Sequence, residues 1–446
     1  MVVTFDAMSV IVVEGGARLQ GTVGVRGAKN AVLKEMVSAL LAPGRHHLTN
    51  VPTILDVDLM AQVLEYLGCR IEQGANELWV VVPEDLNPEA PIELVRQMRA
   101  SIVVLAPLLA RTGFARVALP GGDDLGARPI DMHLSGLEAM GAEFELVHGE
   151  LVGRVDGRFK GTEVELPFPS VGATETLLFA GVTAEGETVI VNAAREPEIQ
   201  DLIDQLLAMG ADIEGGGTSL VTVTGVDSLS AVEHRVVPDR LEAGTYAIAA
   251  AITGGDVTVT GCSTADLRME LKKIEETGAG VERGDGWLRV TGPERPAPVD
   301  FATLPFPGFH TDMHPQMVAL LSVASGTSVI TENLYDSRFR YVGELARMGA
   351  DITTESQHAI VRGVEQLSGC PVLAPDIRAG AALVLAGLRA EGTTSVAEAD
   401  IVKSYQLQAN CYLSKPVQFD EFASLVRSIN DFWLTKVKLP QQTQTG

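Results

Sequence analysis

Apolar residues along this chain fall into two alternating rhythms. Segments such as "NAVLKEMVSALLA" and "EAGTYAIAAAI" carry Ala, Leu and Met at helical spacing, whereas "VTVTG" and "TVIVN" alternate with the two-residue period of a strand. The order of the segments also repeats. A helix rich in small residues is followed by a glycine-containing break, a strand, a second helix, then "LG" or "MG" and another strand. Three copies begin at "GAKNAVLKEMVSALLAPGRHHLTNVP", "RASIVVLAPLLARTGFARVALPGG" and "VGATETLLFAGVTAEGETVIVNAA", and they close with "VLEYLGCRIEQG", "LEAMGAEFELV" and "LLAMGADIEGG". A fourth opens at "EAGTYAIAAAITGGDVTVTG" and a fifth at "TDMHPQMVALLSVASGTSVITEN", each about 70 residues after the last. The glycine after each second helix suits a C′ residue in the left-handed conformation.

A sixth copy starts at "IRAGAALVLAGLRAEGTTSV" and is then interrupted: nothing after it ends a helix in "LGA". The sequence becomes richer in aromatic residues, and "FDEFASLVRSINDFWLTKV" has the apolar spacing of an amphipathic helix. This shift marks a junction at 395–401. Repeats this long, with strands of their own, predict βαβ-type units assembled into globular α/β domains rather than a solenoid.

Length and charge narrow the picture. A chain of 446 residues suits two domains. Against 58 acidic residues stand 34 basic ones, a formal charge of -24, which opposes nucleic acid and anionic lipid as partners. An anionic ligand must therefore meet a focused basic site. Cys69, Cys262, Cys370 and Cys411 are widely separated, with no CxxC pair, so neither a disulfide framework nor a zinc site is expected. The start "MVVTFDAMSVIVV" lacks a basic leader, and no later segment is apolar for long enough to span a membrane. These features predict a soluble cytoplasmic protein.

Basic residues open helices in several copies: Lys29 in "GAKNA", Arg99 in "QMRAS" and Arg378 in "PDIRAG". A helix N-terminus already favours anions, and a cation there adds charge-assisted hydrogen bonds. Taken singly, each is more often an exposed surface residue; equivalent placement in several repeats favours a phosphate or carboxylate guest. Asp312 in "FHTDMHPQM" holds the same slot in the fifth copy, where capping the helix and serving a site are equal alternatives. The pair His310 and His314, like His46 and His47, more often marks a loop than a metal site. In "LPGGDDLGARPID", Asp123 and Asp124 share a glycine-bracketed turn that leads to Arg128.

Together "GAKNA", "RAS…LPGGxxxGARPxDxH", "PSVGATET", "TDMHPQ", "SRF…ELxRMGA" and "APDIRA" resemble the UDP-N-acetylglucosamine 1-carboxyvinyltransferase family of enolpyruvyl transferases, over residues 10–396. The resemblance implies two inverted α/β barrels built from six βαβ-type repeats, with the active site between them. The first domain would span 28–235, the second 1–27 with 236–397, and a separate fragment 398–446. Phosphoenolpyruvate and UDP-N-acetylglucosamine are the implied substrates, with no metal or organic cofactor. Lys29 and Asn30 would bind phosphoenolpyruvate with Arg128 and Arg378, while Arg99 would meet the nucleotide sugar. Arg128, Pro129, Ile130, Asp131 and Met132, with Ser170, Val171 and Gly172, would line the uridine diphosphate pocket. Asp312 and Leu334 would sit at the sugar, and Arg338 would support the closed cleft. Asp312 would take the proton of the sugar hydroxyl, and a group on the glycine loop would protonate C3 of phosphoenolpyruvate.

Most members of that family carry cysteine immediately after the loop's "GG", where this chain has Asp123. A carboxyl group can also deliver a proton, and repulsion from Asp124 would help raise its pKa toward a useful value. Because fosfomycin alkylates the cysteine, the substitution implies resistance. The family's "H-x-D-R-G-Y" stretch is missing. The tail "SYQLQANCYLSKPVQFDEFASLVRSINDFWLTKVKLP" instead resembles the end of a response-regulator receiver domain, including Lys415-Pro416, without that domain's phospho-accepting aspartate. The chain thus reads as a chimera. Either "IVKSYQLQA" and "NCYLS" replace the lost helix and strand, or the second domain shows an apolar edge. The alternative function is a catalytically impaired chimera that binds the nucleotide sugar without turnover.

Overall fold

Alternation of buried and exposed residues is clearest in the strand Glu77–Val82, where Leu78, Val80 and Val82 are buried and their neighbours are more open. The opposite pattern marks the first helices of the repeats. Arg240–Thr253 and Ile377–Arg389 are buried on nearly every face, and alanine dominates both because small side chains let neighbouring helices approach. The second helices, such as Pro197–Ala208 and Arg268–Glu276, are amphipathic and lie over the sheets. The computed structural model describes residues 3–6, 10–119 and 130–398.

Among the described residues, five of the six sheets have four strands and one has three. The four-stranded sheets share one plan, a parallel pair continued by an antiparallel hairpin. In the third copy, Glu163–Glu165 runs parallel to Glu187–Val191, which pairs with Leu220–Thr224 and through it with Asp212–Glu214. The helix Val171–Gly181 connects the parallel strands, as a parallel crossover requires. Gly68, Gly141, Gly210, Gly278 and Gly349 follow the second helices of the five copies, and each has φ between 90° and 104°. The left-handed cap expected from "LG" and "MG" therefore forms, and glycine adopts it without steric cost.

The sixth sheet follows the same plan with a different source of strands. Pro371–Ala374 runs parallel to Thr393–Glu398, and the antiparallel hairpin comes from the other end of the chain, as Val10–Glu14 and Val3–Asp6. The edge expected to be bare is thus paired by the amino-terminal strand. The receiver-like tail lies outside the described residues, as does the glycine loop with Asp123, Asp124, Arg128 and Pro129.

Buried apolar residues form two separate cores, one running from Ala28 to Val236 and the other joining Ile11–Val23 to Leu241–Val396. The chain passes between them twice. At the crossing, Gly27 and Pro238 form an antiparallel bridge. A Cβ on Gly27 would sit 1.8 Å from the Asn50 carbonyl oxygen, so only glycine fits there. Among the described residues, no helix is long and apolar enough to cross a membrane.

Candidate active site in the cleft

Between the cores lies a cavity of about 440 Å³ whose walls come from both. The first core contributes Lys29, Asn30, Arg99, Met132 and Ser170–Gly172, and the second Asp312, Leu334, Arg338 and Arg378. Ile130 and Asp131 do not line it. Ile130 precedes the helix Asp131–Ala139 and packs on the first core.

Lys29 is the first residue of the helix Lys29–Ser38. Its amide donates to Asp239 Oδ2 (3.2 Å), and its Nζ is 2.7 Å from Asp56 Oδ2. Asp239 also accepts from the amides of Leu241 and Glu242, capping Arg240–Thr253. One carboxylate therefore joins the starts of two helices belonging to different cores, which fixes Lys29 at the crossing. Across the cavity, Asp312 stands between two guanidinium groups, with Arg338 Nη2 at 2.8 Å from Oδ1 and Arg378 Nε at 3.2 Å from Oδ2. Arg338 is only 1% exposed. Burial alone would lower its pKa, but Asp312 and other carboxylates outweigh this and raise it.

The capping alternative for Asp312 is excluded. In the turn Thr311–Met313 the cap is His310, whose Nδ1 accepts from the Asp312 amide at 2.9 Å. Burial and the nearby Arg240 charge lower the His310 pKa to about 4, so the ring stays neutral and can accept. His314 packs elsewhere, within hydrogen-bond distance of the Tyr341 hydroxyl. His46 is bonded to the Ala42 carbonyl and His47 stacks on Trp79. On the opposite wall, Ser170 caps Val171–Gly181 by accepting from the Ala173 amide. A Cβ on Gly172 would approach His133 Cε1 at 2.8 Å, so glycine keeps this helix close to the imidazole.

Several charged lining residues were not singled out from the sequence. Arg240 opens the helix of the fourth copy, the same position that drew attention to Lys29, Arg99 and Arg378, and applying that rule once more finds it. Its guanidinium makes two bonds to Glu198, Nε to Oε1 (2.9 Å) and Nη2 to Oε2 (3.1 Å), both partners being buried. The pair spans the two cores. Burial would raise the Glu198 pKa, but the Arg240 charge outweighs this and lowers it. Arg240→Met should cost about 3–5 kcal/mol because it leaves a buried carboxylate without its partner. In urea melts, the added change Glu198→Leu should recover most of that loss.

Glu175 is also buried in the wall, 3.5 Å from Lys34 Nζ. Burial raises its pKa to about 7, despite the opposing Lys34 charge. The folded protein therefore keeps a proton that the unfolded chain has already lost above its ordinary 4.5. More protons bound in the folded state means that this group's contribution falls as pH rises from about 4.5 to 7 and then levels. Glu175→Gln should remove that fall. Urea midpoints of the two proteins compared between pH 5 and 8 should converge at low pH and separate at high pH in favour of Gln.

The site thus offers cations at helix starts from both cores, one carboxylate poised between two guanidiniums, and space for a ligand of moderate size. Comparisons with known proteins agree in direction. The family profile described as EPSP synthase (3-phosphoshikimate 1-carboxyvinyltransferase) matches residues 13–406. A UDP-N-acetylglucosamine 1-carboxyvinyltransferase from Corynebacterium jeikeium is 54% identical over 385 residues, covering 86% of this chain and 92% of that protein. Its counterpart from Mycobacterium bovis is 52% identical with the same coverage. Among solved structures, the enolpyruvyl transferase NikO from Streptomyces tendae gives a TM-score of 0.81 at 22% identity, covering 94% of this chain and 97% of that one. An EPSP synthase from Acinetobacter baumannii gives 0.71 at 20% identity, covering 96% and 98%. At those identities the structures speak for the fold alone.

Proposed function

We infer the chemistry of this cleft from the premise that the chain belongs to the EPSP synthase family of carboxyvinyltransferases. It transfers the enolpyruvyl group of phosphoenolpyruvate to UDP-N-acetylglucosamine and releases phosphate, a step of peptidoglycan synthesis. The reaction belongs to the cytoplasm, and the two cores correspond to domains at 28–235 and at 1–27 with 236–397. The receiver-like resemblance of the tail assigns no residue to this chemistry.

The observation that carries the residue roles is the placement of Asp312 between Arg338 and Arg378, in a cavity that Lys29 lines from the other core. Phosphoenolpyruvate takes Lys29, Asn30, Arg128 and Arg378 as its cationic and polar partners. Arg99, Met132 and the Ser170–Gly172 turn hold the nucleotide, together with Arg128 and Pro129; Ile130 and Asp131, which do not line the cavity, are left out of that pocket. Asp312 and Leu334 hold the sugar. When Arg378 turns to the substrate phosphate, Asp312 loses one of the two guanidinium groups beside it and becomes the stronger base. The sugar 3-hydroxyl oxygen then attacks C2 while its proton passes to Asp312, and C3 receives a proton from Asp123. Loss of a C3 proton and of phosphate from the tetrahedral intermediate restores the double bond in the product. Fixed cations lower the repulsion between two anionic substrates and hold the reacting atoms together.

Phosphate release by the purified full-length protein, measured with and without UDP-N-acetylglucosamine, tests this reading. Release that depends on the sugar is the expected result. Binding of the sugar without any release, by protein shown to be folded, would overturn it in favour of a binding-only chimera.

A further inference from the structure

Away from the cleft, Glu35, Asp201 and His234 meet inside the first core, and none of them lines the substrate cavity. Glu35 lies on the helix Lys29–Ser38, Asp201 on Pro197–Ala208 and His234 on the strand Glu233–Arg235, just before the chain crosses between cores. His234 Nε2 is 3.0 Å from Asp201 Oδ1 and 3.6 Å from Glu35 Oε1, and one ligand atom from each residue falls within 4.8 Å of the others. Atoms that each bind one ion at about 2.0–2.2 Å stand about 3–4 Å apart, so only small side-chain shifts separate this arrangement from a shared ion.

Glu35 supplies a second and independent observation. Its side chain is 0% exposed, yet neither carboxylate oxygen has a hydrogen-bond partner within 3.5 Å, and its nearest ion-pair partner is the His234 imidazole at 3.6 Å. A buried carboxylate left in that state is costly unless a cation or proton meets it. Its position is not loose. Ser38 Oγ donates to Gln205 Oε1 (2.7 Å), and Gln205 Nε2 donates to the Glu35 carbonyl (3.2 Å), so the two helices are locked at the level of the cluster. Asp201 is oriented as well, since its Oδ2 accepts from the Val237 amide at 2.7 Å and Oδ1 is turned to the cluster. Such outer bonds are how proteins aim a metal-binding carboxylate. At the rim, the side chains of Asp201 and His234 are 11% and 12% exposed, which leaves an entry path.

We propose that Glu35, Asp201 and His234 form a binding site for a divalent first-row transition metal, clipping together two helices and the segment that leads to the crossing. Two carboxylates and one imidazole suit zinc or its neighbours, with water completing the coordination. The ion holds the first core together and takes no part in the transfer reaction.

The test uses full-length protein stripped with EDTA and titrated with zinc against a chromophoric chelator, then with Co2+ as a spectroscopic probe. One high-affinity zinc per chain, visible Co2+ absorption bands and a rise in melting temperature are expected. Glu35→Leu, which replaces the buried carboxylate with an apolar group, should weaken uptake about tenfold or more and abolish the Co2+ bands while remaining folded in EDTA. His234→Gln, at the more open rim, is the second variant should that protein fail to fold. No uptake by folded wild-type protein in excess zinc overturns the proposal. So does uptake equal in wild type and variant, the mark of binding elsewhere on the surface, or stabilisation by Mg2+ as large as that by zinc.

Discussion

Asp312→Asn protein is expected to fold, to bind both substrates and to release phosphate about 10²–10⁴-fold more slowly, the usual effect of losing a positioned acid or base. Asparagine matches aspartate in shape and still offers an oxygen to Arg338, so the fully buried guanidinium is not left bare. What disappears is the group that takes the hydroxyl proton. Asp312→Ala should combine that defect with loss of stability, because the buried Arg338 keeps the Thr311 carbonyl but loses its hydrogen-bonded carboxylate. Phosphate-release kinetics separate kcat from KM, and urea melts separate the two variants. Near-normal kcat in the Asn protein would assign Asp312 to substrate orientation instead.

An equally large change is expected at Asp123, which lies outside the described residues. Asp123→Asn removes the proposed donor to C3 and should lower kcat about 10²–10⁴-fold, with sugar binding retained. Asp123→Cys should restore much of the activity, since a thiol can also donate the proton. It should also create a nucleophile that fosfomycin alkylates, whereas the parent protein stays unlabelled. Mass spectrometry of the drug-treated proteins checks both statements. An active cysteine variant that gains no adduct would falsify the placement of residue 123 beside the reacting carbon.

Local patterns carried the repeat architecture because each signal needs only neighbouring residues. Glycines at the ends of the second helices, alternation in Glu77–Val82 and basic residues at helix starts are settled within one or two turns of chain, and sequence alone determined them. It also determined the family, through several ordered motifs. Tertiary structure decided the rest. Only folding seats Asp312 between Arg338 and Arg378, residues from different repeats, and only folding gives to His310 the capping role that was one of two equal alternatives for Asp312. Arg240 and Glu198, 42 positions apart, are paired and buried only once the two cores close over them. Likewise Val3–Asp6, at the start of the chain, pairs the edge of a sheet whose other strands include Thr393–Glu398. Such contacts join residues far apart in sequence, and their strength comes from burial, which no local stretch of sequence possesses before the chain is folded.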